Sequence, residues 1–204
     1  MRITSEQQLR EIYKQPKGRA VSKQLDHLDQ HALSFLNLSP FCILATYGQD
    51  SLADATPRGG KPGFVQCPNE KTLLIPDWPG NNRIDSLKNI LCHKGIGLVF
   101  LIPGIKETLR VNGLAEIIID PELQNRFMEL DRLPISVIKV DIHEVYLHCS
   151  KALIRSTLWE VDSIQHRSVL PSMGEMLKDQ TDDPGTIETQ GEMEARYSKE
   201  LYLW

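Results

Sequence analysis

Residues 108 to 119 constrain the fold more than any other stretch. Leu109, Val111, Gly113, Ala115, Ile117 and Ile119 fall on one side of a period of two, and Thr108, Arg110, Asn112 and Glu116 on the other. That alternation is the pattern of a strand with one buried face. Strand-type runs surround it. Residues 41 to 47 and 96 to 102 are continuously apolar, as fully buried strands are, and residues 52 to 57 form a shorter run. Residues 64 to 66 and 72 to 75 read as a hairpin around Pro68-Asn69-Glu70. Along residues 137 to 149 the apolar phase is even at Ile138, Val140 and Ile142, then odd at Val145, Leu147 and Cys149. The slip predicts a bulge or kink near His143-Glu144. One helical pattern interrupts the strands after the fourth. It begins near Asn82, places Ile84, Leu87 and Leu91 on one face and Asp85 at a capping-box position, and stops at Gly95. Six or so antiparallel strands, split by one helix, suit a small β-barrel better than a sandwich.

Helical signals flank this region. Ser5-Glu6-Gln7-Gln8 reads as a capping box ahead of Leu9, Ile12 and Tyr13. Residues 22 to 37 read as a second helix, with Leu25, Leu28, Ala32 and Phe35 or Leu36 on one face, and residues 121 to 130 as another. After Arg155 the pattern fades. Tyr197, Leu201 and Trp204 then share one face of a tail helix, suited to docking on the core or on a partner subunit. The organisation expected is a helical segment over 1–40, a barrel over 41–160 and an extension over 161–204 packing on the barrel or on a dimer partner.

A chain of 204 residues with net charge −4 can bury a sizeable core and carries no basic footprint for nucleic acid. No apolar run reaches the roughly 18 residues of a membrane span, and the charged N-terminus lacks a signal-peptide core. Cys42, Cys67, Cys92 and Cys149 have no CxxC spacing. They read as reduced, mostly buried thiols of a cytoplasmic protein. Cys92-His93 and His148-Cys149 are sequence neighbours, which point apart on a strand, so the spacing argues against a metal site.

Four polar groupings adjoin the strands: Thr56 to Gly60; Asn81-Asn82-Arg83 with Ser86; Thr108 with Arg110; and Lys151 with Arg155. Each alone is also what a solvated loop or barrel rim looks like, and Asn82 alone also reads as an N-cap. Together they offer a helix N-terminus, amides, hydroxyls and cations, which suits a phosphorylated planar cofactor. Neither a GxSxG elbow nor a GxGxxG turn is present, and no residue is marked for acid–base or nucleophilic work. Asp54 and Asp77 stand near these groupings, in a position to balance charge.

Four stretches, ADATPRGGKPGFV, LLIPDWPGNNRIDSLKNI, FLIPGIKETLRVNGLAEI and HCSKALIRSTLW, resemble the pyridoxamine 5′-phosphate oxidase-like FMN-binding split-barrel family, in particular a bacterial oxidase-related branch. The resemblance covers about residues 5 to 180. It implies an antiparallel split barrel with flanking helices, and a homodimer with FMN at the subunit interface. It implies a flavin-dependent oxidoreductase acting on a small molecule. A non-catalytic flavin, deazaflavin or haem carrier or sensor is the other implied role, with His148 as candidate axial ligand for haem. By the same likeness Asn82 and Arg83 grip the phosphate, together with the helix start that holds Ser86. Arg58, followed by Gly59, reaches the flavin or its phosphate, and Thr56 runs along the ring. Thr108 stands where the oxidases often have a longer glutamine. Lys151 and Trp159 complete the site, from either subunit. The arginine-x-histidine segment that holds the vitamin's phosphate in the true oxidases is missing from VYLHCSKALIRSTLW.

Overall fold

The computed structural model describes residues 2–181, 185 and 187–203, with the backbone alone for 200–203. Three helices come first: α1 (Glu6–Ile12), α2 (Arg19–Ser22) and α3 (Gln30–Leu38). Strands β1 (Phe41–Tyr47), β2 (Ala53–Gly59), β3 (Gln66–Asn69) and β4 (Thr72–Asp77) follow, then α4 (Asp85–Cys92), β5 (Gly95–Leu101) and β6 (Thr108–Ile118). After α5 (Pro121–Asn125) comes β7 (Ser136–His148), then α6 (Lys151–Ser156), α7 (Met173–Gln180) and α8 (Gln190–Leu203). None of the described helices is long and apolar enough to cross a membrane.

The seven strands form one antiparallel sheet in the order β2-β1-β5-β6-β7-β4-β3. The sheet curls around an apolar interior. Cys42 and Leu44 of β1, Ile96, Leu98 and Phe100 of β5, Leu109 and Val111 of β6, and Ile138 and Val140 of β7 all face it. Helix α3 covers the interior with Ala32, Phe35 and Leu36, and Leu28, just ahead of it, joins them. Fully burying one such side chain contributes about 1.5–3 kcal/mol. Asp29 caps α3 by accepting from the Ala32 N–H at 2.8 Å, a contact of about 1 kcal/mol. Helix α4 lies over β1 and β2. Its buried Ser86 donates to Asp54 Oδ2 (3.1 Å), and Asn89 Nδ2 donates to Thr46 Oγ1 (3.1 Å).

The curl does not close. β2 pairs only with β1, and β3 only with β4. β3 is short, and its register runs from Asn69↔Thr72 to Gln66↔Leu74, so the far end of β4 has no strand on that side. Pro76 sits on this open edge, where the absent N–H costs no ladder bond. The seam between β2 and the end of β4 makes this a split barrel.

The predicted phase slip in β7 is a bulge. Asn112 pairs with Glu144 and Gly113 with Ile142, leaving His143 unmatched. The bulge lets β7 bury Ile142 and Val145 on the same side. Opposite it, a Cβ on Gly113 would lie 2.2 Å from the Asp141 carbonyl oxygen. Only glycine lets the two strands approach this closely.

Several expected elements are revised. The helix expected over 22–37 starts at Gln30. Leu25 instead exchanges backbone hydrogen bonds with Val145 (2.9 and 2.7 Å), and Lys71 Nζ donates to Asp26 (2.6 Å), holding this stretch extended. α4 starts at Asp85 rather than near Asn82, and Gly95 opens β5 instead of closing the helix. The helix expected over 121–130 is only Pro121–Asn125. α6 and α7, of six and eight residues, are too short to register as periodic. Cys92 and Cys149 are exposed, and only Cys42 is fully buried; burial pushes its thiol pKa up to about 12. In the tail helix Tyr197 is exposed, while Trp204 and the Leu201 side chain lie outside the described residues.

Candidate functional site

The inward face of β2 breaks the apolar rule of the rest of the barrel. Residues directly opposite in a ladder share a face. The partners of the inward Thr46, Leu44 and Cys42 are Asp54, Thr56 and Arg58. Ala53, Ala55 and Pro57 consequently point outward and are exposed. This strand inverts the usual pattern because its inner face borders the seam, which is open to solvent.

A cleft of about 430 Å³ occupies the seam. Its walls come from Arg58 and Gly59 of β2, Pro76 and Asp77 of β4, Phe64, Trp78 and Ser136, and its mouth is formed by Asn81, Asn82 and Ile84 ahead of α4. Arg58 crosses the gap. Its Nη1 donates to Thr56 Oγ1 and to the Pro57 carbonyl, both at 3.0 Å, and its Nη2 stands 3.6 Å from Asp77 Oδ1. Burial raises the Asp77 carboxyl above its usual pKa of 3.8, and Arg58 opposes that rise only in part.

The sign of this shift gives a prediction. With the folded pKa raised, the folded chain holds more protons than the unfolded chain just above pH 3.8. Stability is therefore greatest below that value and falls as pH rises through the folded pKa. Asp77→Asn is expected to raise the melting temperature at pH 7, and the gain should shrink as the pH approaches 4 in calorimetric scans.

The chain before α4 is unusual. Asn82 and Ile84 have φ of 59° and 49°, the left-handed region that β-branched residues rarely adopt. Ile84, not Asn82, holds the N-cap position, and it makes no side-chain cap bond. The amide side chain of Asn82 is thus not spent on the helix, and the first N–H groups of α4 have no side-chain cap. Arg83 Nε donates to Asp85 Oδ2 at 2.8 Å on the surface, and Arg83 and Lys88 together hold the Asp85 carboxyl below its usual pKa.

The structure gathers part of the expected set. Arg58, Gly59 and Asn82 line the cleft, and Thr56 buttresses Arg58. Arg83 stands beside the mouth, exposed, and Ser86 is committed to Asp54. Thr108, Lys151 and Trp159 gather elsewhere. Thr108 opens β6 and pairs with His148, three strands from β2 and two from β4 in the sheet order. Lys151 opens α6 just beyond His148 and is exposed. Trp159 donates its Nε1 to the Ile105 carbonyl (2.9 Å), and Lys106 pairs with Glu160 (2.6 Å), so this segment docks on the β5–β6 loop. Arg110 is engaged too, its guanidinium 5.1 Å from the Tyr146 ring centroid. Phe64, Trp78, Ile135 and Ser136 line the cleft without having stood out in the sequence. Trp78, beside Pro79-Gly80 after a buried strand, carried a usable signal; Ser136 carried none.

The chain is similar to HupZ of Group A Streptococcus at 14% identity and a TM-score of 0.49, over 59% of this chain and 93% of that one. It is similar to an F420 reductase at 16% identity and 0.43, over 59% and 98%. It is also similar to the FAD binding protein of Mycobacterium smegmatis at 12% and 0.43, over 61% and 97%. No curated protein sequence matches the chain. A sequence profile for the family described as pyridoxamine 5′-phosphate oxidase matches residues 28–149, the whole span from Leu28 under the barrel to the end of β7. With that match over more than half its length, and with an antiparallel barrel split at one seam, the chain belongs to the pyridoxamine 5′-phosphate oxidase family.

Proposed function

We propose that this protein binds FMN in the seam cleft and uses it as an oxidoreductase on a small molecule other than pyridoxamine phosphate. One observation carries the reading: the cleft brings Arg58, Gly59 and Asn82 together with the uncapped start of α4, between the aromatic side chains of Phe64 and Trp78. The amides and free N–H groups at the mouth, with Arg83 beside them, suit a phosphate, and apolar walls suit a planar ring. On this reading Arg83 turns from Asp85 to the phosphate, and hydride chemistry belongs to the cofactor, not to a side chain. The barrel over 41–160 holds the site, the helical segment over 1–40 flanks it, and residues 161–204 extend along the barrel or a partner.

A homodimer fits the same picture. The outward faces of β1, β2 and β6 present Ile43, Tyr47, Ala53, Ala55, Pro57 and Leu114, all exposed, an apolar sheet face that a second copy would cover. Thr108, Lys151 and Trp159 do not line the cleft of their own chain, so they would serve the cleft of a second subunit. The protein would act in the cytoplasm.

A second reading, a carrier or sensor without turnover, draws on one atom. His148 Nδ1 is the buried side-chain nitrogen that finds no hydrogen-bond partner among the described residues. A ligand or a partner subunit would satisfy it. An absorbance spectrum after incubation with FMN and gel filtration tests both readings. Flavin bands co-eluting at dimer size are expected. No bound flavin would overturn the FMN reading, and a Soret band from added haem would favour the carrier.

A further inference from the structure

We infer that the Arg58–Asp77 pair reads the imide edge of the bound ring, the phosphate lying where the family resemblance puts it, against Asn82 and Arg83. This rests on the flavin reading above and assigns the direction in which the cofactor lies. The charge balance of the cleft separates its two polar ends. Arg58 is the cation most deeply set in the wall, and its charge is already answered by Asp77 at 3.6 Å. A phosphate at the guanidinium would also face that carboxylate, and like charges at such range repel. Arg83, by contrast, is exposed and its partner Asp85 is held by Lys88 as well, so it can leave without stranding a buried charge.

What Arg58 and Asp77 offer jointly is a donor beside an acceptor. Nη1 is fixed by Thr56 Oγ1 and the Pro57 carbonyl, which aims Nη2 toward Asp77. An imide edge, –CO–NH–CO–, presents acceptor, donor, acceptor. Its N–H can donate to the Asp77 carboxylate while a flanking carbonyl accepts from Arg58. Phe64, Trp78, Leu87 and Ile135 supply the apolar lining that a ring attached to this edge needs. The pair therefore selects a ligand class. Flavins and 5-deazaflavins carry the imide. Pyridoxal phosphate and porphyrins do not, and offer this pair no matching donor and acceptor.

The test is a fluorescence titration of the full chain with FMN, riboflavin and N3-methyl-FMN. Methylation of N3 removes the donated proton and should weaken binding about tenfold or more, the loss expected when a buried charged acceptor is left unpaired. Arg58→Ala should weaken FMN and riboflavin by the same factor, with near-UV circular dichroism reporting whether the variant is folded. Equal affinity for FMN and N3-methyl-FMN would overturn the assignment and leave the flavin reading intact. Loss of the preference for FMN over riboflavin in Arg58→Ala would overturn it too, by placing the phosphate at Arg58. If neither FMN nor its methyl derivative binds, the flavin reading fails and this assignment fails with it. If Arg58→Ala does not fold, the comparison of ligands on the wild-type chain decides alone.

Discussion

Gly113→Ala is expected to lower the melting temperature by about 10 °C, and larger side chains at this position should prevent folding. The alanine Cβ would sit 2.2 Å from the Asp141 carbonyl oxygen and 3.0 Å from Val140 Cγ1. The first of these is backbone and cannot rotate away. The β6–β7 ladder must shift at the bulge that sets the phase of both strands. Forced shifts of this kind cost about 1–3 kcal/mol or more, and in a chain of this size about 3 kcal/mol corresponds to roughly 10 °C. A melting curve within 2 °C of wild type would mean that the bulge yields easily. Gly97→Ala is the control: its Cβ meets only Asn112 Oδ1, at 3.2 Å, and that side-chain atom can move.

Arg83→Ala should weaken FMN binding about ten- to hundredfold, the range for losing a hydrogen bond to a charged group, about 1.5–3 kcal/mol. Riboflavin affinity should stay the same, because only the phosphate is addressed. Thermal stability should barely change, since the Arg83–Asp85 pair is a surface contact. That combination separates a ligand role from a structural one. Unchanged FMN affinity would return Arg83 to the status of a surface arginine tied to its neighbour.

The strands were legible because their pattern is local. The apolar run from Phe41 to Tyr47 is β1 as observed, and the phase slip in residues 137–149 is the bulge at His143. Boundaries set by distant contacts were not legible. Residues 23 to 29 carry a helical apolar spacing, yet Leu25 pairs with Val145 and Asp26 with Lys71, and no local pattern encodes those partners. The start of α4 misled for a related reason. Asn82 and Asp85 look like a capping box, but the backbone turns left-handed at Asn82 and Ile84, a conformation the sequence does not announce at an isoleucine. Of the cleft lining, Arg58, Gly59 and Asn82 were readable from residue type and position. Asp77 was visible as a charge without a partner, because its pairing with Arg58 depends on β2 and β4 meeting across a seam. That meeting is a property of the whole curl, and neither strand predicts it.

The seam has a mechanical consequence. With no ladder crossing it, the two lips can part without breaking a ladder hydrogen bond; the Arg58–Asp77 ion pair of 3.6 Å joins β2 to β4 directly, and the Ser86–Asp54 hydrogen bond ties α4 to β2. The empty protein should therefore breathe along this line, with the amides of β2 and the end of β4 exchanging with solvent faster than those of β5 and β6. A molecule spanning the gap would act as a staple. Its binding free energy would add directly to the work of pulling the lips apart, so thermal stability would rise with the logarithm of its concentration.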